Sequence, residues 1–239
     1  MQLDILAFGA HPDDIELGAS GTLIKHIKEG KKVGVVHLTR GELGTRGNAD
    51  LRDIEAKKAS EVMGVSTLDN LGFRDGFFVN DEKHQLAIVR MIRKYRPKYV
   101  LANAVTDRHP DHGKGADVVR NAVFLSGLPK VVTELEGAVQ SAYRPDRVLH
   151  YIQFMPIDPD LIIGFDEEVM NQKMKAVEAY SSQFYDPNSD EPETIISSRN
   201  FLESVRYRAM DMGRLMGAPY GEGFTSEKML SVNYLSDLA

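Results

Sequence analysis

The chain predicts an α/β fold, with a mostly parallel sheet covered by helices on both faces. Three observations predict it. Strand-like and helix-like segments alternate through the first half. Leu3–Gly9 is a short apolar run ending in glycine, the pattern of a strand buried on both sides. The length of 239 residues, with 42% hydrophobic and 27% charged residues, suits one domain over residues 1–239 with a sizeable core.

The elements follow in order. Leu23, Ile24 and Ile27 fall at helical spacing, and Gly30 stops that helix. Val33–Leu38 reads as a second strand. Thr39–Asn48 is a loop in which Gly41, Gly44 and Gly47 sit among polar residues. Leu51–Met63 is a helix ended by Gly64, and Thr67–Leu71 is a third strand. Leu86–Tyr95 is helical and stops before Pro97. Tyr99–Ala104 is a fourth strand, and Asp117–Leu125 is the next helix. Arg147–Phe154 and Leu161–Phe165 complete the strands, and Glu167–Phe184 and Ile196–Met216 are two late helices.

Composition excludes several functions. A net charge of −6 without basic clusters argues against a nucleic-acid partner. No segment has the length to span a bilayer, so no membrane partner is expected. Asp4 and the missing basic n-region argue against a signal peptide. With no cysteine, thiolate metal sites and thiol nucleophiles are ruled out. A cytoplasmic location fits.

The chemistry lies in two tetrapeptides, His11-Pro12-Asp13-Asp14 and His109-Pro110-Asp111-His112. Each follows a predicted strand. In open α/β sheets ligands bind beyond the carboxyl ends of the strands, so both clusters point to one edge. His11 and Asp14 are three apart and share a face on a helical first turn, with Asp13 aimed elsewhere. His112 supplies a third ligand. Two imidazoles and one carboxylate with an open position make a catalytic zinc site, although Fe2+ or Mn2+ accept similar ligands. The plainer alternative is that Asp13 and Asp14 cap a helix and His109–His112 forms a polar turn. Either tetrapeptide alone fits that alternative; the pair favours the metal site.

On these residues the chain resembles the LmbE/PIG-L family of zinc-dependent N-acetylglucosaminyl deacetylases. The resemblance rests on Ala10-His11-Pro12-Asp13-Asp14 with Glu16 and Gly18, and on Thr39-Arg40-Gly41-Glu42 with Gly44, Arg52 and Glu55. It continues through Arg108-His109-Pro110-Asp111-His112 and through Ser182-Gln183 in a late helix, to about Phe224. It implies an LmbE-like, Rossmann-like three-layer sandwich, a small N-acetylglucosaminyl conjugate as partner and a homo-oligomer such as a hexamer. The stretches Thr39–Gly64 and Asp107–Gly113 look most like the bacillithiol-pathway branch, which acts on N-acetylglucosaminyl-malate. Asp107 stands where the mycothiol branch is similar but carries a tyrosine.

The chemistry expected is hydrolysis. Asp13, near the ion but not bound to it, is the general base. His109 donates to the tetrahedral oxyanion, as an imidazolium held by Asp111. Either Asp13 or His109 returns a proton to the amine. Arg52 is expected to clamp a sugar hydroxyl or a malate carboxylate, although it also reads as an i,i+3 partner of Glu55. Arg108 and Glu42 are further substrate-binding candidates, each with a plain solvated alternative. His26 and His84 read as solvent-facing, and His37 and His150 as core histidines. Alternatives from other classes are a non-haem iron oxygenase, a nucleotide-binding Rossmann protein and a non-catalytic metal-containing sugar-binding protein. Within the family, a mycothiol precursor or diacetylchitobiose are the alternative substrates.

Overall fold

The computed structural model describes residues 1–232 and 234. Its first half alternates as expected. Strand β1 (Ile5–Gly9) leads into a single buried turn, α1 (Asp14–Gly18), and helix α2 (Ser20–Lys28). Then come β2 (Val33–Thr39), α3 (Ala49–Met63), β3 (Thr67–Phe73), α4 (Glu82–Tyr95), β4 (Tyr99–Ala102) and α5 (Pro110–Ser126). A small hairpin, β5 (Glu134–Leu135) and β6 (Ala138–Val139), precedes β7 (Arg147–Tyr151) and β8 (Leu161–Phe165). Helices α6 (Glu167–Glu178) and α7 (Arg199–Arg214) and a last strand, β9 (Tyr220–Thr225), complete the fold.

Among the described residues the main sheet has seven strands, in the order β3-β2-β1-β4-β7-β9-β8. Strands β3, β2, β1, β4 and β7 pair in parallel, and β9 runs antiparallel to both β7 and β8. Every residue of β1 and β2 is buried. Because strand side chains alternate, Val33 and Val35 pack with α2, α3, α6 and α7, while Val36 and Leu38 pack with α4 and α5. The connections leave β1 in one direction and return through β4 in the other. The crevice at the carboxyl ends of β1 and β4 is therefore the switch point of the sheet.

Several element bounds differ from the sequence reading. Helix α5 begins at Pro110, not Asp117, because His109 caps it and Pro110 suits the first turn. Asp166 and Ser198 cap the late helices through Val169 N and Phe201 N. Helix α6 stops at Glu178, so Ser182 and Gln183 lie in a turn rather than a helix. Strand β9 has no counterpart in the sequence reading. Its glycines are poor strand formers, yet Gly221 and Gly223 are what the packing needs. Gly213 of α7 lies so close to β9 that a Cβ there would come within 2.7 Å of the Tyr220 backbone. Glu222 of β9 accepts from Gly21 N at 2.9 Å and Thr22 N at 2.7 Å, in the first turn of α2. Buried Lys173 of α6 pairs with the same carboxylate at 2.7 Å.

Candidate active site

The two tetrapeptides meet at the switch point. Ala10 N donates to Asn103 Oδ1 at 2.8 Å, which ties the chain leaving β1 to the chain leaving β4. The backbone then turns sharply. Asp13 has φ 108, a rare conformation for a residue with a Cβ. It occupies the N-cap of α1, yet its carboxylate makes no cap bond. That removes the plain capping explanation for its side chain.

His11, Asp14 and His112 converge. His112 Nε2 lies 3.0 Å from Asp14 Oδ1, and His11 Nδ1 lies 3.6 Å from Asp14 Oδ2. All three residues are buried. His109 joins them: one nitrogen each from His11, His109 and His112 lie within 4.8 Å of one another. Four groups that the sequence reading did not place in the site hold the cluster in position. Asn103 Nδ2 and Gln153 Nε2 donate to the two oxygens of Asp14 at 2.9 and 2.7 Å. Asp107 Oδ2 takes His112 Nδ1 at 2.7 Å, which leaves Nε2 facing the centre. Asp75, after β3, takes His11 Nε2 at 3.0 Å.

The remaining candidates fall differently from expectation. Arg52 lines the cleft, but it does not pair with Glu55. Its guanidinium is buried, 2.9 Å from Asp13 Oδ2, and it also bonds the Pro12 carbonyl. Glu55 turns to Ser181 and Ser182. Glu42 accepts from Asp75 N at 2.8 Å, so it braces the loop after β3 and does not line the cleft. Asp111 does not hold the His109 ring. Its carboxylate takes Gly76 N and Lys114 Nζ and lies 3.4 Å from His11 Nε2. The reason is the early start of α5. His109 Nδ1 accepts from the Asp111 backbone N at 3.3 Å, which puts the ring proton of a neutral His109 on Nε2. Arg108 is exposed on the cleft wall, 4.9 Å above the Phe154 ring.

Electrostatics follows from burial against charge. Burial raises the Asp13 carboxyl to about 6, although Arg52 pulls the other way. Burial alone would lower His112, but Asp14 and Asp107 overcome it and push it up to about 9. His11 is likewise raised against burial, by Asp111, Asp14 and Asp75. Burial and the charges of His11 and His112 lower His109. The carboxylates thus draw positive charge onto two buried imidazoles. A divalent cation supplies that charge without protons, and the imidazole–carboxylate set fits Zn2+, Fe2+ or Mn2+.

The centre lies in a cleft of about 940 Å³. His11, Asp13, Asp14, His109 and His112 line it, together with Arg108, Phe154, Phe201 and Arg208. That is room for a sugar and a small aglycone.

The PIG-L family model, described as GlcNAc-PI de-N-acetylase, matches residues 6–123, the span that carries both tetrapeptides. The diacetylchitobiose deacetylase of Thermococcus kodakarensis is 27% identical over 230 residues, covering 92% of this chain and 81% of that protein. A probable N-acetyl-alpha-D-glucosaminyl L-malate deacetylase 2 of Bacillus anthracis is 26% identical over 196 residues, covering 75% and 81%. Among solved structures, the conserved protein TT1542 of Thermus thermophilus superposes with a TM-score of 0.85 at 32% identity, over 98% of this chain and 99% of that one. Fold, motif span and relatives agree, and the chain belongs to the PIG-L/LmbE family of deacetylases.

Proposed function

We propose that this chain is a metal-dependent N-deacetylase that removes the acetyl group from a small N-acetylglucosaminyl conjugate. The observation that carries the reading is Asp13. It is a buried carboxyl beside the imidazole–carboxylate cluster, raised to about 6 and held by Arg52. A site that only bound sugar would have no use for such a group. The whole chain acts as one domain in this reading, since the cleft draws on residues from His11 to Arg208.

His11, Asp14 and His112 would hold the cation, with zinc as the first candidate. When bound, such an ion lowers the pKa of water to about 7 and polarises the acetamide oxygen. Asp13 takes the proton of the attacking water, and Arg52 keeps the carboxylate aimed. The water oxygen bonds to the acetyl carbon as the carbonyl electron pair moves to oxygen. His109 donates its Nε2 proton as a hydrogen bond to that oxygen, as a neutral imidazole. The carbon–nitrogen bond then breaks, the amine gains the proton held by Asp13, and acetate leaves.

The test is acetate release by metal-loaded protein. Substrates are N-acetylglucosaminyl-malate, its inositol analogue, diacetylchitobiose and free N-acetylglucosamine. Release from at least one conjugate is expected. No release from any of the four sinks the reading. Two relatives of near-equal identity are named for different conjugates, diacetylchitobiose and N-acetyl-alpha-D-glucosaminyl L-malate.

A further inference from the structure

Arg208 lies on α7 and lines the cleft. It is seven residues, two helical turns, beyond Phe201, which lines the same cleft. A guanidinium carries five N–H donors. Among the described residues Arg208 makes one hydrogen bond, from Nη2 to the Ile152 carbonyl oxygen at 3.3 Å. No carboxylate oxygen among them lies within 4.0 Å. Burial lowers its pKa, and Asp107 and Glu222 oppose this from beyond contact.

Arg208 is partly buried, and the buried arginines Arg52 and Arg93 differ from it. Arg52 is paired with Asp13. Arg93 also lacks a carboxylate, but it donates to Ser126 O, Val131 O, Leu128 O and Thr133 Oγ1 and is satisfied by the protein. Arg208 has donors left over, and it lines both the cleft and a small neighbouring cavity that Lys173 and Glu222 share. A second guanidinium without a hydrogen-bond or carboxylate partner among the described residues, Arg108, stands over Phe154, whose ring stacks on Phe201 at 6.2 Å. Both cations thus border one aromatic wall of the cleft.

We propose that Arg208, with Arg108 at the rim, binds a carboxylate on the aglycone and selects acidic N-acetylglucosaminyl conjugates over neutral ones. This rests on the deacetylase reading. The planar fork takes a carboxylate bidentately, which an amide or hydroxyl cannot match.

The experiment compares kcat/KM for N-acetylglucosaminyl L-malate and for its diamide, in wild type, Arg208→Met and Arg208→Lys. The methionine keeps the apolar stem, and the lysine keeps the charge without the fork. The wild type is expected to prefer the acid by about 10–100-fold, the range for hydrogen bonds to a charged group, mainly through KM. Arg208→Met brings that ratio to within about threefold of unity, and Arg208→Lys restores part of it. An unchanged ratio in Arg208→Met, or a wild type indifferent to the two compounds, overturns the assignment. If the wild type releases acetate from neither, the deacetylase reading is judged by the four-substrate assay, and Arg208 is judged by the thermal shift with L-malate alone. A shift lost in Arg208→Met keeps the anion site; equal shifts in both proteins, or none in either, overturn it.

Discussion

Replacing Asp13 by asparagine separates two roles that the structure gives one carboxylate. The first is chemical. A general base typically supplies about 10²–10⁴ in rate, so kcat should fall by that factor. The second is structural. Asp13 and Arg52 are 5% and 4% exposed, and removing one member of a buried pair costs about 3–5 kcal/mol. The Pro12 and Gly41 carbonyls still accept from Arg52, so we take the low end, about 3 kcal/mol. For a chain of this size that lowers Tm by about 6–12 °C. The double variant Asp13→Asn/Arg52→Gln removes the stranded charge and should recover most of the Tm but none of the activity. The pH profile adds an independent check. The base works when deprotonated, so wild-type kcat/KM should rise with pH up to about 6 and then level off, and Asp13→Asn should lose that limb. The assay is acetate release below 25 °C, with metal content measured on the same samples. Activity within about tenfold of wild type in fully metallated Asp13→Asn would refute the base assignment.

Three further outcomes are expected. Asp107→Ala loses the partner of His112 Nδ1 and should weaken metal affinity about 10–100-fold by chelator competition; unchanged affinity would mean that another group orients the ring. Without a cation the neighbouring carboxylates raise His11 above its ordinary value and His112 to about 9, and both must be neutral to bind one, so zinc titration at pH 7 should release protons, read by calorimetry in buffers of different ionisation enthalpy. Heat independent of buffer would contradict the raised imidazoles. His37 is held neutral, with burial lowering its pKa from 6.5 to about 3. The unfolded chain protonates it first, so its share of stability is whole above pH 6.5 and is lost as pH falls toward 3. At pH 5 the loss is about 2 kcal/mol, and His37→Leu should flatten the urea-midpoint slope between pH 7 and pH 5 by that amount.

The sequence disclosed the architecture where it was periodic and the site where it was repeated. The runs that became β1, β2 and β4 were apolar enough to identify, and a parallel sheet then brings their carboxyl ends together. Hence His11, Asp14 and His112 could be grouped across nearly a hundred positions. What stayed hidden were single polar residues with no motif around them. Asp75, Asn103 and Gln153 look like loop or strand-end residues until the fold places them beside His11 and Asp14. Arg52 and Glu42 were visible, but nothing in helical spacing tells that the guanidinium meets Asp13 or that the Glu42 carboxylate takes Asp75 N. Strand β9 stayed hidden because Gly221, Glu222 and Gly223 carry the composition of a loop. Only contact with α2 and α7 explains a carboxylate between two glycines there.

The position of β9 has a consequence for synthesis. Strands β7 and β8 cannot be joined until Tyr220–Thr225 arrives between them. Until then a nascent polypeptide offers β7 as a bare margin with unmatched amide groups, the kind of surface that recruits neighbouring chains into aggregates. The histidines near the middle of the molecule leave the ribosome long before that margin is closed. Production of intact protein should therefore depend on how quickly Tyr220–Thr225 follows β7 and β8 in translation, and chaperones that mask exposed strands should matter most during that interval.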